Sequence, residues 1–230
     1  MKKVFMLVIV AALALVGQAE AANSLAVTNA AAQDGNYGLE VFLDGSTNQV
    51  YVRDDTPDQE SVYRTSFWFH KNDLYMDSCS GACSTRFVNF LARQESPSAA
   101  TVFRLIVRRL AADGAQGPRY SLAFGVRNDI GDFVYMGGVV LTGGNLRKHI
   151  TLEWQAGDPF TNNGIARLYS SNDGGTPNLQ FERTNLQNGT MRIDHIRWGA
   201  TSGLDDQPTD PNTTGSIYLD SFESYRTMLP

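Results

Sequence analysis

The side chains best suited to bind a ligand lie along one alternating stretch, Ser61–His70. Its sequence, SVYRTSFWFH, places an aromatic or β-branched residue at every second position from Tyr63 onward. This period of two is typical of a β-strand with two chemically different faces. One face predicts a buried core, whereas the other carries Arg64, Trp68 and His70. An indole ring stacks on the C–H face of a sugar, and guanidinium N–H groups bind hydroxyls or carboxylates, so this face has the chemistry of a glycan-binding surface.

Other predicted strands carry polar side chains of the same kinds. If neighbouring strands align, these residues extend the surface of Arg64, Trp68 and His70 on one sheet: Arg104, Arg108, Arg127, His149 and Glu153. Two alternatives stay open. The arginines can pair with carboxylates on an ordinary solvated sheet, and a loop can cap Trp68. Trp154 and Trp198 are in step with apolar neighbours, so we expect both in the core.

The first 21 residues predict a cleaved secretory signal. Lys2 and Lys3 precede the apolar run Val4–Gly17, and Ala19–Ala21 has the small-x-small form of a cleavage site. The run is too short to span a bilayer as a helix, which needs about 20 residues. We therefore expect a secreted or periplasmic protein of bacterial type with no membrane span after cleavage. Its mature chain, residues 22–230, is expected to form one domain.

The mature chain is acidic. Without the signal it has 17 basic and 23 acidic side chains, a formal charge of −6. This disfavours a nucleic-acid partner, because phosphate binding needs a net basic face. Fifteen of the 17 basic residues are arginine, which makes planar contacts to carboxylates and stacks on rings. This bias toward arginine favours surfaces on which arginine pairs with carboxylates, or the binding of anionic ligands. A genomic preference for arginine codons explains the bias equally well.

Cys79 and Cys83, in the sequence CSGAC, are the only cysteines. An even count in an exported chain predicts a disulfide. The loop that it closes is so short that the expected entropic gain is only about 2 kcal/mol. A zinc site needs about four nitrogen or sulfur ligands, and a redox pair has the spacing C-x-x-C, so both fit less well.

The rest of the chain is a series of short β runs bounded by Gly, Pro, Asn or Asp, and no window shows helical periodicity. Asn23–Asn36, which is polar and rich in Ala, predicts an irregular lead-in or one helical turn. Asn172–Gly175 predicts the bend of a hairpin whose return strand is Leu179–Arg183. The pattern predicts an all-β fold, an antiparallel sandwich or barrel.

Four consecutive segments carry a family resemblance: His149–Trp154 (HITLEW), Gly164–Gly175 (GIARLYSSNDGG), Met191–Gly203 (MRIDHIRWGATSG) and Gly215–Arg226 (GSIYLDSFESYR). In this order they resemble the second half of the concanavalin A-like, laminin-G-type (LamG-like) jelly roll. Tyr51–Phe69 also resembles a segment of exported bacterial proteins of unassigned activity. The resemblance implies a two-sheet β-sandwich of jelly-roll type, and a shared fold alone transfers no function.

The resemblance also shows which catalytic patterns are missing. Jelly-roll glycoside hydrolases carry carboxylates along one strand as E-x-D-x-x-E, a spacing that sets acid and nucleophile about 5–5.5 Å apart. The nearest pair here, Glu40 and Asp44, lacks that pattern, and Glu153 stands alone on its strand. Jelly-roll polysaccharide lyases use Arg, Gln, His and Tyr on the concave sheet. Those residue types are present without the family's strand motifs, so the sequence assigns no catalytic residue.

Calcium is a candidate structural ion. Asp220 lies mid-strand in IYLDSF, where several jelly-roll binding modules place a calcium ligand. The clusters Asp54–Asp58 and Asp205–Asp210 are rich in the oxygen ligands that Ca²⁺ prefers. Aspartate beside Pro and Gly is equally typical of turns that hold no metal.

The sequence therefore favours an exported, non-catalytic binding module for a glycan or cell-surface polysaccharide, acidic polymers included. The alternatives are a polysaccharide lyase or glycoside hydrolase with an unrecognised site, and a structural envelope protein. A cleft with a buried carboxylate or a perturbed histidine favours the enzyme. An open sheet with an exposed Trp68 favours the binder, and a sheet covered by ion pairs favours the structural role.

Overall fold

The computed structural model describes residues 22–77, 86–110, 119–141, 146–204 and 212–229. These residues form fourteen β-strands and no helix. The strands are β1 (Ser24–Thr28), β2 (Gly38–Asp44), β3 (Val50–Asp54), β4 (Val62–His70), β5 (Tyr75–Met76), β6 (Arg86–Gln94), β7 (Ala100–Leu110), β8 (Arg119–Arg127), β9 (Phe133–Leu141), β10 (Arg147–Gln155), β11 (Gly164–Ser171), β12 (Asn178–Leu186), β13 (His195–Ser202) and β14 (Thr213–Tyr225).

The strands form two antiparallel sheets that pack face to face. Sheet A has the order β1-β2-β14-β4-β10-β11-β12, with β5 beside β14, and sheet B has the order β3-β13-β6-β7-β8-β9. The all-β, two-sheet sandwich predicted from the sequence is confirmed. Among the described residues, none forms a helix long and apolar enough to cross a membrane.

Strand β4 lies in the middle of sheet A, between β14 and β10. Its inner side chains, Tyr63, Phe67 and Phe69, are fully buried. The ring of Phe67 stacks on Phe90 of β6 at 5.7 Å between centroids, and Phe90 stacks on Phe103 of β7 at 5.8 Å. This row of aromatic rings joins the two sheets, as the alternation in β4 predicts.

The two remaining tryptophans lie in the same core. Trp154 is fully buried and Trp198 nearly so, which confirms the sequence prediction for both. Trp198 packs against Phe67 at 5.5 Å and against Phe222 at 5.1 Å.

The prediction for Asn23–Asn36 was wrong at its start, because Ser24–Thr28 forms the edge strand β1. Strand β1 pairs along its length with β2. It is held by main-chain hydrogen bonds, which form whatever the side chains are and therefore produce no hydrophobic alternation in the sequence. The signal segment 1–21, Cys79, Cys83 and Asp205–Asp210 lie outside the described residues.

We expect Phe90→Ala to lower the free energy of unfolding by about 3–5 kcal/mol, because it empties the centre of the aromatic row between the sheets. Urea denaturation measures this loss. The control is Ile130→Ala, whose parent side chain is 73% exposed, and it should stay within about 0.5 kcal/mol of the parent. A Phe90→Ala protein as stable as the control would contradict this packing.

Candidate functional site

The residues predicted to share one surface lie on two different sheets. Arg64, Trp68 and His70 are on the outer face of β4, where His149 and Glu153 of β10 join them. The register places His149 directly opposite Trp68 and Glu153 directly opposite Arg64. Five of the eight residues of the predicted surface are thus brought together on sheet A.

Arg104 and Arg108 lie on β7, and Arg127 lies on β8, so all three belong to sheet B. The prediction of a single surface was therefore wrong for these residues. Each sheet buries one face against the other, and the two outer faces point in opposite directions. Period-two alternation identifies an outward side chain, but it carries no information about which sheet holds the strand.

A cleft of about 420 Å³ lies on the outer face of sheet A. Strands β4, β10 and β14 contribute to it, together with the loop segments at 33–34 and 173–174. Its titratable lining side chains are Asp34, Arg147, His149, Asp173 and Glu223. Three carboxylates thus face one guanidinium and one imidazole, which gives the cleft a net acidic lining.

Trp68 forms part of the floor of this cleft and is only 6% exposed. Gly174 covers the indole. A Cβ at position 174 would lie 2.8 Å from Trp68 Cζ2, and the glycine has a left-handed backbone with a φ of +75°. The guanidinium of Arg147 lies 4.2 Å from the indole centroid, and the ring of His149 meets it edge-on at 5.1 Å. The sequence left Trp68 either exposed to a ligand or capped by a loop, and the structure shows it capped.

His149 is half-buried, and its Nδ1 is buried without a hydrogen-bond partner among the described residues. Burial lowers the pKa of the imidazole below its usual value of 6.5, and the charge of Glu223 only partly opposes this. The imidazole is therefore neutral at pH 7 and can accept a proton or a hydrogen bond. Burial, with the charges of Arg147 and Lys71, also lowers the pKa of His70.

Glu153 is fully buried on the same outer face. Its carboxylate accepts hydrogen bonds from the Tyr169 hydroxyl at 3.1 Å, from Arg167 at 3.4 Å and from the backbone N–H of Leu229. A buried carboxylate needs such partners to remain charged. Burial, followed by the neighbouring Glu153 charge, raises the pKa of Tyr169. Arg167 and Tyr169 were missed from the sequence, although both alternate with buried residues in the segment GIARLYSS.

Glu223 reaches the cleft through an irregularity in β14. The pairing of β14 with β4 shifts register between Asp220 and Glu223, and this shift turns the Glu223 side chain outward. Its carboxylate accepts hydrogen bonds from the Tyr225 hydroxyl at 2.7 Å and from Ser66 at 3.2 Å. The Arg64 guanidinium lies 4.1 Å from the Tyr225 ring centroid. A bulge of this kind leaves no periodic signal in the sequence.

Asp220, the candidate calcium ligand, is used differently. One carboxylate oxygen accepts the backbone N–H groups of Gln33 at 2.7 Å and Asp34 at 2.8 Å, and the other accepts that of Ser221 at 2.6 Å. The described residues contain no group of three or more acidic, histidine or cysteine side chains arranged to hold a metal ion. The residues present therefore do not fit a calcium site at Asp220, which instead fastens the loop at 33–34 to β14.

No protein-family model matches the sequence, and no curated protein matches it. Solved structures do match the whole sandwich. A fungal endo-β-1,4-glucuronan lyase from Trichoderma reesei has a TM-score of 0.54 at 12% identity over 89% of this chain and 87% of that one. At this level of identity, the similarity shows that the two chains share a fold.

Two further solved structures agree with this result. A marine PL-14 alginate lyase from Aplysia kurodai has a TM-score of 0.50 at 11% identity, covering 88% of this chain and 87% of that one. An alginate lyase from Pseudomonas aeruginosa has a TM-score of 0.50 at 10% identity, covering 82% of each chain. The chain thus has the jelly-roll sandwich fold of these polysaccharide lyases, consistent with the concanavalin A-like resemblance.

We expect Trp68→Ala to lower the free energy of unfolding by about 3–5 kcal/mol, because it leaves a cavity under Gly174 and Arg147. Chemical denaturation measures the loss. Tyr37→Ala, at a ring that is 60% exposed, is the control and should change stability by less than about 0.5 kcal/mol. Equal stability of the two variants would mean that the ring is not capped in solution.

We expect stability to fall as the pH drops below about 6.5, partly through His149. The folded-state pKa of His149 lies below the unfolded value of 6.5, so the unfolded chain takes up the proton first. Its contribution is complete above the unfolded pKa and is lost as the pH falls toward the folded one. Urea titrations of the parent and of His149→Gln should show a smaller pH dependence in the variant. Identical pH profiles would contradict a depressed pKa for His149.

Proposed function

We propose that the mature chain, residues 22–230 after removal of an export signal, binds a polysaccharide in the cleft on sheet A. The observation that carries the proposal is the cleft itself, where the outer face of sheet A and two adjoining loop segments bring together hydrogen-bonding groups of both kinds. Arg147 supplies donors, the carboxylates of Asp173 and Glu223 supply acceptors, and His149 adds an imidazole ring to the lining. Sugar hydroxyls donate and accept hydrogen bonds, so they complement such a lining.

The charge of the lining favours one class of sugar. Asp34, Asp173 and Glu223 together outnumber Arg147, and His149 is neutral at pH 7. A polymer with a carboxylate on each sugar would be repelled at this position. We therefore infer that the ligand in the cleft is a neutral, hydroxyl-rich polysaccharide. Because Trp68 is capped, recognition relies on polar contacts more than on ring stacking.

A second candidate function is supported by His149. A neutral imidazole in a cleft is a suitable general base, and the fold is shared with polysaccharide lyases. In an eliminative cleavage, His149 would take the proton from the carbon beside a sugar carboxylate. A carbon–carbon double bond would form as the bond to the leaving sugar oxygen breaks. That oxygen would take up a proton from solvent water, and the imidazolium of His149 would return its proton to the solvent. Arg147 would bind the sugar carboxylate.

Affinity electrophoresis in gels containing xylan, β-glucan, alginate or polygalacturonate tests the binding proposal. We expect retardation by a neutral polymer, and at least about a tenfold loss of affinity in Arg147→Gln, which removes a charge-assisted donor. The matched control is Arg183→Gln, which removes the same charge at the edge strand β12. Equal retardation of parent, variant and control would place the ligand elsewhere, and no retardation by any neutral polymer would overturn the proposal.

The same preparation tests catalysis when it is incubated with alginate and with polyglucuronate. Appearance of the ultraviolet absorbance of an unsaturated sugar product, and its loss in His149→Gln, would establish the second candidate in place of the first. If the parent binds a polysaccharide and forms no such product, the non-catalytic function stands.

A further inference from the structure

Sheet B differs in charge from the rest of the molecule. Its six strands, over the residues described, contain nine arginines and a single carboxylate, Asp54. The strands of sheet A contain five basic and six acidic side chains. The full chain has a formal charge of −5, so a large share of the positive charge is concentrated on one side of an acidic protein.

The arginines on the outer face of sheet B lie over aromatic rings. The guanidinium of Arg104 is 4.0 Å from the centroid of Phe133, and it donates a hydrogen bond to the Tyr135 hydroxyl. The guanidinium of Arg197 is 4.7 Å from the ring centroid of Tyr51. A guanidinium stacked in this way is held flat while N–H groups at its edge stay available to a planar acid.

Two more arginines follow the same arrangement at longer range. Arg108 lies 5.8 Å from the Tyr135 ring and Arg127 lies 5.9 Å from the Phe133 ring. Beneath this layer is a small apolar cluster, separate from the main core: Val88, Leu91, Ile106 and Ala123. Arginine stems are suited to cover such a cluster while their charged ends remain near the solvent.

Within the described part of the chain, no carboxylate pairs with these arginines. Among the ion pairs of the described residues, none involves Arg104, Arg108, Arg127 or Arg197. Arg53, in contrast, pairs with Asp55 at 2.5 Å and with Glu95 at 2.9 Å. The four cations therefore form an ordered basic surface, which we call the arginine face.

The register gives the arginine face a defined spacing. Arg197 is opposite Leu91, and Leu91 is opposite Arg104, so these two arginines are two strands apart, about 10 Å. Arg104 and Arg108 are four residues apart on β7, about 13 Å. Charges at these intervals can contact successive acidic groups of an extended chain.

We propose that the arginine face binds an acidic polysaccharide, a linear polymer with carboxylate or sulfate groups. Charge complementarity supports this occupant, because four unpaired guanidinium groups meet a polyanion on a protein whose remaining surface would repel it. Guanidinium edges bind carboxylates and sulfates through paired N–H donors. The arginines are held against aromatic rings on a sheet. This arrangement suits contact with a polymer chain that lies along the surface, and it suits insertion of the arginines into a lipid headgroup layer less well.

This site is independent of the cleft on sheet A. The cleft has an acidic lining, and the two outer faces of the sandwich point in opposite directions. A ligand on one face leaves the other accessible, and failure of either proposal leaves the other intact.

The test measures binding of the full mature chain to immobilised polygalacturonate and dextran sulfate, with unmodified dextran as the neutral reference. We expect binding to both acidic polymers that weakens with added salt, and any retention on dextran should be insensitive to salt and unchanged in the arginine-face variants. The double variant Arg104→Gln/Arg197→Gln should lose at least about tenfold in affinity. The control Lys148→Gln/Arg183→Gln makes the same change in net charge on sheet A and should bind like the parent.

The variant Arg104→Lys/Arg197→Lys keeps the charge and removes the planar fork, and an affinity between parent and double Gln variant supports bidentate recognition. A melting temperature close to that of the parent shows that each variant is folded. Equal losses in the arginine-face variant and the sheet A control would overturn the proposal, since net charge alone would then explain binding. Binding to vesicles of phosphatidylglycerol but to neither acidic polymer would also overturn it, in favour of a membrane surface.

Discussion

The structure depends on the row of aromatic rings that joins the two sheets. Phe90 lies between Phe67 of sheet A and Phe103 of sheet B, with Trp198 and Phe222 beside them. Because these rings must face each other, every alternate side chain of the joined strands is directed outward. The positions of the cleft and of the arginine face are thus consequences of the same packing. The polar residues decide what each face can bind, and the core decides where they are.

Local pattern predicted the strands well and the assembly of the sheets poorly. The predicted series of short β runs bounded by turn residues is confirmed, and β8, Arg119–Arg127, is an example, because its large buried side chains alternate with small residues. Strand β1 was missed because main-chain pairing at a sheet edge has no side-chain signature. The sequence pattern also could not predict that the surface residues are divided between two sheets, because strand order depends on contacts between distant parts of the chain.

The residues of the candidate site also divide into those that local pattern predicts and those that depend on the assembly of the sheets. Arg64, His149 and Glu153 were predicted as outward residues, and they share one face because β4 and β10 are neighbours. Glu223 needed knowledge of the irregularity in β14, and Gly174 needed knowledge of where a hairpin bend would fold back. Both depend on contacts between residues far apart in the chain. The outward side chains of the strands could thus be predicted from the sequence, whereas the residues that form the walls of the cleft could not.

The acidic cleft on sheet A and the arginine face on sheet B also explain why the net charge of the chain does not predict the ligands of this protein. A formal charge of −5 averages over two faces of opposite character. The charge of the arginine face persists because the strands of sheet B contain a single carboxylate, Asp54, with which an arginine could pair.

The glycine over Trp68 has an evolutionary consequence. Any side chain at position 174 would collide with the indole unless the hairpin bend moved away, and such a movement would uncover an aromatic ring at the floor of the cleft. The strands and the core would be unaffected, because the bend makes no contribution to either sheet. Substitutions in one short bend and at Arg147, whose guanidinium lies 4.2 Å from the indole centroid, would turn a polar cleft into a stacking platform, so ligand preference can change while the scaffold stays the same.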